Sequence, residues 1–543
     1  MNVRNVCKWC AAGSLLALGL SFGLNKALCA EPTPADAEAG VQVLTRGPVH
    51  EAFAETVTYD PEPGVVAPKA PPAAIEEVPP EQKPAGDNVA WIPGYWGWDD
   101  ERSDFLWVSG IWRALPPGRQ WVPGYWGKTA EGIQWTSGYW ADAKLSEVQY
   151  LPEPPATVEA GPNIAAPSAD DIWQPGCWVW QDNRYAWRPG FWAAAQPDWV
   201  WVPPHYIWTP RGYVFVDGYN DYAVANRGVL FAPVYFDAGV YGRQGFTYSP
   251  STVIGLAALT SHLFVRPQYQ HYYFGDYYAP NYQDAGFYSS YSYNTSRFGY
   301  DPIYAHTRWQ HRQDRGWEQG VAADFANRRD HEDARPPRTW AAQRALGASG
   351  ANAGVVAAPL DQFSRGKDSP VRFQPVDQLE RQKLAQHAQE VQRFRDERQK
   401  QEVNAAGAPT VTTETRTKQF QPSTVKLPGS PIVGRSADQL GKGVAQPKTY
   451  NAPKPDLTVE PKPRVNLSAG QPQQRTVNRM PLDQPRTQPQ APPKVERAVT
   501  QPQPQPQTKA APQTRGNAPA GPPAGGQSQD KGNDKGNDKG KDK

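Results

Sequence analysis

The chain has 543 residues, among them 21 Trp, 25 Tyr, 58 Pro and 4 Cys, and a formal net charge of +2. Cys7, Cys10 and Cys29 fall in an N-terminal export segment, so Cys177 alone remains in the mature chain and intramolecular disulfides are excluded. Its two apolar runs, Ala11 to Leu24 and Val253 to Val265, are shorter than the about 20 residues of an ordinary membrane-spanning helix, which leaves no such span after export.

In chain order, Arg4 and Lys8 precede the first apolar run, and small residues at Cys29-Ala30 offer a cleavage point before Glu31. This is a secretory signal over residues 1–30, and it places the protein in the periplasm, the cell envelope or outside the cell. A lipoprotein reading of Cys29 fails, because Lys26-Ala27-Leu28 lacks the small residue that precedes a lipidated Cys. Residues 31–88 are rich in Pro, Ala and Glu and read as an extended, disordered linker.

A hexapeptide, Trp-x-(Pro/Ser)-Gly-x-Trp, then dominates residues 89–144. It occurs as Trp91-Ile-Pro-Gly94-Tyr-Trp96, Trp107-Val-Ser-Gly110-Ile-Trp112, Trp121-Val-Pro-Gly124-Tyr-Trp126 and Trp135-Thr-Ser-Gly138-Tyr-Trp140. Such a fixed recurrence decides architecture before any residue is given a role. The step from Trp126 to Trp135 is 9 residues, as is that from Trp112 to Trp121, whereas Trp96 to Trp107 is 11. An antiparallel hairpin that sets Trp126 opposite Trp135 also sets Trp121 opposite Trp140. One that sets Trp112 opposite Trp121 sets Trp107 opposite Trp126. The registers connect into two expected rows of indole, Trp96, Trp107, Trp126, Trp135 and Trp91, Trp112, Trp121, Trp140, whose cross-strand pairs are worth about 0.2–1 kcal/mol each. Side chains five positions apart on a strand face opposite ways, unless a bulge at the Pro-Gly step turns both to one side. Gly94, Gly110, Gly124, Gly138, Gly176 and Gly190 read as the turn or bulge glycines.

Residues 145–170, with Pro152-Glu-Pro154-Pro155, form a second Pro-rich linker. The second block, 171–248, repeats the motif as Trp173-Gln-Pro-Gly176-Cys-Trp178, Trp187-Arg-Pro-Gly190-Phe-Trp192 and a degenerate Trp201-Val-Pro-Pro204-His-Tyr206. Its expected rows are Trp178, Trp187, Tyr206 and Trp173, Trp192, Trp201. Pro204 in place of Gly and Asn220 among aromatics mark the seventh repeat as an end cap. Cys177 fills the slot of Tyr, Ile or Phe in sister repeats and reads as a packed thiol. Gly212 to Tyr219 and Gly228 to Phe236 add two further strands. From Trp91 to Phe236 the chain resembles the WxxGxW (YXWGXW) repeat family of exported bacterial proteins; that resemblance implies export and no particular chemistry.

Residues 249–345 hold the Val253–Val265 run, expected as a buried strand or helix, and a Tyr-dense stretch expected as a wet, irregular surface. In 346–403, Leu379, Leu384, Ala388, Val391 and Phe394 outline one amphipathic helix, docked on the body or offered to a partner. Residues 404–543 are Pro-, Gln- and Lys-rich and expected to be disordered. They carry 21 Lys or Arg against 10 Asp or Glu, a net of +11; with +3 in the signal, residues 31–403 hold −12.

This split gives either a solubilising tail or one that contacts an anionic envelope polymer or glycan. A secretory signal makes nucleic acid an unexpected partner despite the tail's charge; self-association is open. The eight His are scattered, and no phosphate loop, nucleophile elbow, Cys-x-x-Cys or zinc spacing occurs, so no catalytic residue, metal site or cofactor is expected. The expected fold is mainly β, with antiparallel hairpin or meander sheets built from Trp-x-x-Gly-x-Trp repeats, one C-terminal amphipathic helix and long disordered flanks. The expected function is a non-catalytic envelope structural or interaction protein. The alternative is a glycan-binding module that uses the Trp rows as a stacking platform.

Overall fold

A computed structural model describes residues 40–294, 298–348, 355–365, 371–403, 422–441 and 445–461. The signal, and the tail beyond 461, lie outside the described residues. Within the hexapeptide, Trp, Tyr, Val and Ile suit a pleated strand, while Pro has no N–H for a ladder. Each repeat arm accordingly breaks at its Pro-Gly or Ser-Gly step into two short strands. The first hairpin pairs Val89–Ile92 with Ile111–Ala114 and Tyr95–Asp99 with Asp104–Val108, which sets Trp91 opposite Trp112 and Trp96 opposite Trp107. The second pairs Arg119–Val122 with Tyr139–Asp142 and Tyr125–Lys128 with Ile133–Thr136, which sets Trp121 opposite Trp140 and Trp126 opposite Trp135.

The third hairpin runs Asp171–Gln174 and Cys177–Gln181 against Phe191–Ala194 and Arg184–Arg188, with Trp173 opposite Trp192 and Trp178 opposite Trp187. Its two-residue turn is Asp182-Asn183, both left-handed at φ 50° and 57°, the conformation a tight hairpin requires and these two residue types tolerate. The seventh repeat is not an end cap. Trp199–Val202 and His205–Thr209 pair with Tyr219–Tyr222 and Gly212–Val216 in a fourth hairpin, with Trp201 opposite Asn220 and Tyr206 opposite Phe215. Its second arm, Phe215-Val-Asp-Gly218-Tyr-Asn220, is an eighth repeat that has lost both Trp.

The registers within hairpins are as expected, and those between hairpins are not. Trp112 lies opposite Val229 and Trp107 opposite Val234, while the Trp121 N–H donates to Ile432 O at 2.9 Å. The Trp135 N–H donates to Val65 O at 2.9 Å, and Trp187 forms a bridge with Asp456. The two continuous rows are thus separate pairs, because the outer edges at Trp107, Trp112, Trp121, Trp135 and Trp187 are taken by segments from outside the repeats and not by a sister hairpin. The two pairs of one hairpin also enter different hydrophobic clusters. Trp91 and Trp112 pack with Val229, Phe231 and Val253, whereas Trp96 and Trp107 join the main core.

Val229 and Val234 belong to the strands expected after the second block, and the other segments that take these edges come from the expected linkers and tail. Residues 40–88 are not a disordered linker where described: Val49, Ala52 and Phe53 are buried, and Val66–Ala67 adds to the second hairpin. Glu147–Leu151, in the other Pro-rich segment, lies between Gly212–Val216 and Ser423–Lys426. That last strand, the buried Ile432 and residues 445–461 correct the expectation of a wholly disordered tail. Open edges offer these segments backbone partners that their low apolar content does not supply.

The chain is mainly β, in many small antiparallel sheets, but it has nine α-helices among the described residues rather than one. Local signals account for some of the others: Pro302–Gln310 starts on Pro302, and the Asp301 carboxylate accepts from the N–H of Ile303 and Tyr304. The 253–265 run is strand, helix and strand, with Val253, Ile254, Leu259 and Leu263 buried. The Tyr-dense stretch is core and not wet surface. Tyr272 and Tyr293 are buried because their hydroxyls donate internally, to Asp301 Oδ1 at 2.9 Å and Val57 O at 3.0 Å. On the long helix Gln378–Val403 the buried face is Ala388, Val391, Phe394, Arg398 and Glu402, while Leu379 is 61% exposed.

Candidate functional site

Where a hairpin arm breaks, an indole of the opposite arm fills the gap over the glycine. A Cβ at Gly94 would sit 2.7 Å from Trp107 Nε1, at Gly110 2.6 Å from Trp91, and at Gly124 2.5 Å from Trp135. The distances are 2.6 Å from Gly138 to Trp121, 2.5 Å from Gly176 to Trp187 and 2.4 Å from Gly190 to Trp173. None of these six glycines has a positive φ. They recur in the six full hexapeptides as room for a ring, not as the bulge hinges the sequence implied. In the fourth hairpin Trp201 lies over Gly218, where an added Cβ would sit 2.4 Å from the ring. At position 204 the opposing residue is the smaller Phe215, and there Pro204 replaces glycine.

Breaking the ladder leaves glycine N–H groups without strand partners, and a buried amide must find an acceptor. A carboxylate supplies it. Glu77 accepts from the Gly94 N–H at 2.8 Å, the Gly110 N–H at 2.9 Å and Trp107 Nε1 at 3.1 Å. Glu51 accepts from Trp135 Nε1 at 2.9 Å and the Gly138 N–H at 3.1 Å. Glu159 accepts from the Gly176 N–H at 2.5 Å and Trp173 Nε1 at 3.2 Å. The fourth hairpin needs no external carboxylate at this point: Pro204 has no N–H, and the Gly218 N–H donates to its own neighbour's side chain, Asp217 Oδ1, at 2.9 Å.

These glutamates were missed in the sequence, although a signal for two of them was there. Glu77 and Glu159 each stand 17 residues before the glycine they hold. Both follow a Pro-Pro-Ala step, Pro71-Pro72-Ala73 and Pro154-Pro155-Ala156, whose alanine carbonyl accepts from Trp96 Nε1 at 2.9 Å or Trp178 Nε1 at 3.0 Å. The Pro-rich segments are therefore leaders of the repeat, each bringing the acceptors that its hairpin lacks.

The long helix closes the second hairpin from another side. Arg398 donates through Nη1 to Pro123 O and Ser137 O, both at 2.9 Å, the carbonyls that precede Gly124 and Gly138. Its Nε donates to Glu402 at 3.0 Å, and Glu402 accepts from the hydroxyls of Tyr125 at 2.8 Å and Tyr150 at 3.0 Å. Arg113 of the first hairpin reaches Asp221 of the fourth at 2.6 Å. Burial pushes Glu77 up to about 7 against the pull of its three donors, and Glu55 up to about 8 against the Tyr219 hydroxyl and the Trp140 N–H. Burial also takes His50 down to about 3 and His205 down to about 4. A cavity with room for about one water is lined by Glu51, Glu55, Ser137 and Gly138 among others.

The rings of the expected aromatic residues meet as pairs, while between hairpins Trp126 Nε1 donates to Trp96 O at 2.8 Å and the Tyr206 hydroxyl to Trp178 O at 3.0 Å. Ring centroids of Trp91/Trp112, Trp96/Trp107, Trp121/Trp140, Trp126/Trp135, Trp173/Trp192 and Trp178/Trp187 are 5.1–5.4 Å apart, tilted by 52° to 80°. Four of the six make the edge-to-face contact that ring quadrupoles favour, and the two pairs of the second hairpin are tilted at 52° and 58°. Every Trp of the first two hairpins is buried except the half-buried Trp126, whereas Trp173, Trp192 and Trp201 are half-buried. Tyr206 is buried beside Phe215 at 5.2 Å. Burial raises the Cys177 thiol, and Arg188 lies 3.3 Å from its Sγ, as fits a packed thiol.

A family model described as the WXXGXW repeat matches the chain twice, over residues 86–113 and 172–193, which are the first and third hairpins. The chain thus carries the repeat its hexapeptides resemble. No curated protein and no solved structure matches it.

Proposed function

We propose that this is a non-catalytic structural or interaction protein of the cell envelope, in which the repeat hairpins are the scaffold. The observation that carries the reading is where the indoles point their faces and N–H groups. The pairs of the first hairpin pack edge-to-face and those of the second are tilted, and Trp96, Trp107, Trp126, Trp135 and Trp140 donate to internal acceptors. A stacking platform for sugar rings needs open, coplanar faces, and tilts of 52° to 80° are unlike one. The buried carboxylates likewise have structural partners: Glu51 and Glu77 hold glycine amides, and Glu402 holds two tyrosines.

Export rests on the residues 1–30 pattern. No helix among the described residues is long and apolar enough to cross a membrane. The net +11 of residues 404–543 supports a salt-sensitive hold on an anionic envelope polymer. The test is to titrate the mature protein with purified peptidoglycan and lipopolysaccharide while following retention and Trp emission. The scaffold reading expects retention that disappears as salt is raised, and no saturable quench. A saturable quench that survives high salt replaces it with the glycan platform. Protein recovered from the envelope is expected to begin at Glu31 on N-terminal sequencing.

A further inference from the structure

Residues 445–456 lie across the fourth and third hairpins. They form neither helix nor strand up to the bridge at Asp456. Pro447, Tyr450, Pro453 and Pro455 are half-buried, the first three at a step of three residues, while Gln446, Lys448, Thr449, Asn451, Ala452 and Lys454 are exposed. A step of three residues between inward side chains is the period of a polyproline-II helix, which has three residues per turn and leaves every carbonyl free for recognition.

Side chains of the hairpins read that backbone. Trp199 Nε1 donates to Ala445 O at 2.9 Å, Gln196 Nε2 to Gln446 O at 3.0 Å and Asn220 Nδ2 to Lys448 O at 3.0 Å. Gln196 Oε1 accepts from the Lys448 N–H at 2.6 Å. The Tyr450 ring meets Trp201 edge-on at 5.0 Å, and its hydroxyl donates to Ala194 O at 3.0 Å. An aromatic floor with polar side chains aimed at peptide carbonyls is how Pro-rich segments are held, because the ligand's extended form costs little entropy to fix.

We propose that the third and fourth hairpins form a recognition groove for polyproline-II peptides of the pattern Pro-x-x-Tyr-x-x-Pro. Its occupant is the segment 445–456, held here by its own chain and replaceable by the same segment of a second copy. The degenerate fourth hairpin gains a purpose on this account. Asn220, where a sister repeat has Trp, supplies the carboxamide that reads Lys448 O and leaves the Trp201 ring for Tyr450.

Replacement follows from how the segment is held. The neighbouring tail segment is anchored by the buried Ser430 and Ile432, but no residue from 445 to 461 is buried. A surface segment with so few enclosed contacts opens at the low end of the local stability range. The proposal does not depend on the scaffold role or on any glycan.

The experiment uses the full mature chain, a variant with Pro447→Ala and Tyr450→Ala, and a fluorescent peptide of residues 445–458, followed by anisotropy. Tethering gives the chain's own segment a millimolar-range effective concentration, so its weakening should tighten peptide binding at least about tenfold. Adding Gln196→Ala and Asn220→Ala to that variant should return binding to the parent's level or below. Near-UV circular dichroism of each variant should match the parent. The proposal is overturned if the Pro447→Ala, Tyr450→Ala chain binds the peptide no better than the parent. It is overturned equally if a scrambled peptide of the same composition binds as well.

Discussion

The first two hairpins and the last two carry the same hexapeptide in the same internal register, but they differ in what encloses them. Around the first pair stand the leader from 40 to 88, Gly228–Val229, Val234–Phe236, residues 430–435 and the C-terminal turns of the long helix. Around the second pair the cover is thinner, and Trp173, Trp192 and Trp201 stay half-buried. The motif therefore builds a hairpin and its two indole pairs, while enclosure comes from segments elsewhere in the chain. Damage should scale with enclosure, not with how well a repeat matches the consensus.

The sharpest break between the two regions is expected at Arg398. Its side chain is fully buried against Glu402 and two carbonyls of the second hairpin, so Arg398→Ala leaves an unpaired buried carboxylate and should cost about 3–5 kcal/mol. Arg188→Ala removes the arginine beside Cys177 in the third hairpin, whose Asp217 contact is 3.9 Å and partly exposed, and should cost less than about 1 kcal/mol. Urea unfolding of both measures the contrast, and equal losses would erase it.

Glycine replacement comes next. At Gly138 an added Cβ meets Trp121 at 2.6 Å and the Gly124 N at 2.8 Å inside the core, and Gly138→Ala should cost about 3 kcal/mol. At Gly190 an added Cβ meets the half-buried Trp173 at 2.4 Å, which can swing toward solvent, and Gln174 O at 2.7 Å, which cannot; Gly190→Ala should cost less than Gly138→Ala, about 2 kcal/mol. Chemical denaturation midpoints, with unchanged m-values, are the readout.

The enclosure of the first pair should also respond to pH through Glu77. Its carboxyl is raised from an ordinary 4.5 to about 7 by burial, so between those values the folded chain keeps a proton that the unfolded chain has lost. This group's contribution to stability is then greatest below pH 4.5 and declines as pH rises toward 7. Glu77→Gln removes the titration. The parent's stability relative to Glu77→Gln should fall by on the order of 2 kcal/mol between pH 5 and 7.5, as read from unfolding at each pH. A flat difference would mean that the three donors already keep Glu77 ionised.

What could be read from the residues divides along the same line. The Trp spacing across each turn, 11 residues in the first hairpin and 9 in the second and third, gave the register inside the hairpin, because pairing across a short turn is fixed locally. The partners across outer edges were not legible, since Val65, Val229 and Ile432 lie far away in sequence and carry no periodic mark. Composition misjudged the Pro-rich leaders: proline and acid content signals solvent exposure on average, yet Glu51 and Glu77 are buried because broken ladders need acceptors. The Glu-to-Gly spacing of 17, repeated in both leaders, was the one trace of that role in the sequence.

The smallest effect expected tests whether the fourth hairpin is a decayed repeat or an adapted one. Asn220→Trp restores the residue that sister repeats place opposite Trp201, and a new cross-strand aromatic pair is worth at most about 1 kcal/mol. A simply decayed hairpin gains that stability and keeps its surface segment. If the groove is real, the new indole competes with Tyr450 for Trp201 and deletes the donor to Lys448 O, so the gain shrinks toward zero. Residues 445–456 should then exchange amide hydrogens faster than in the parent, whereas hairpins one and two, which make none of these contacts, should exchange as before.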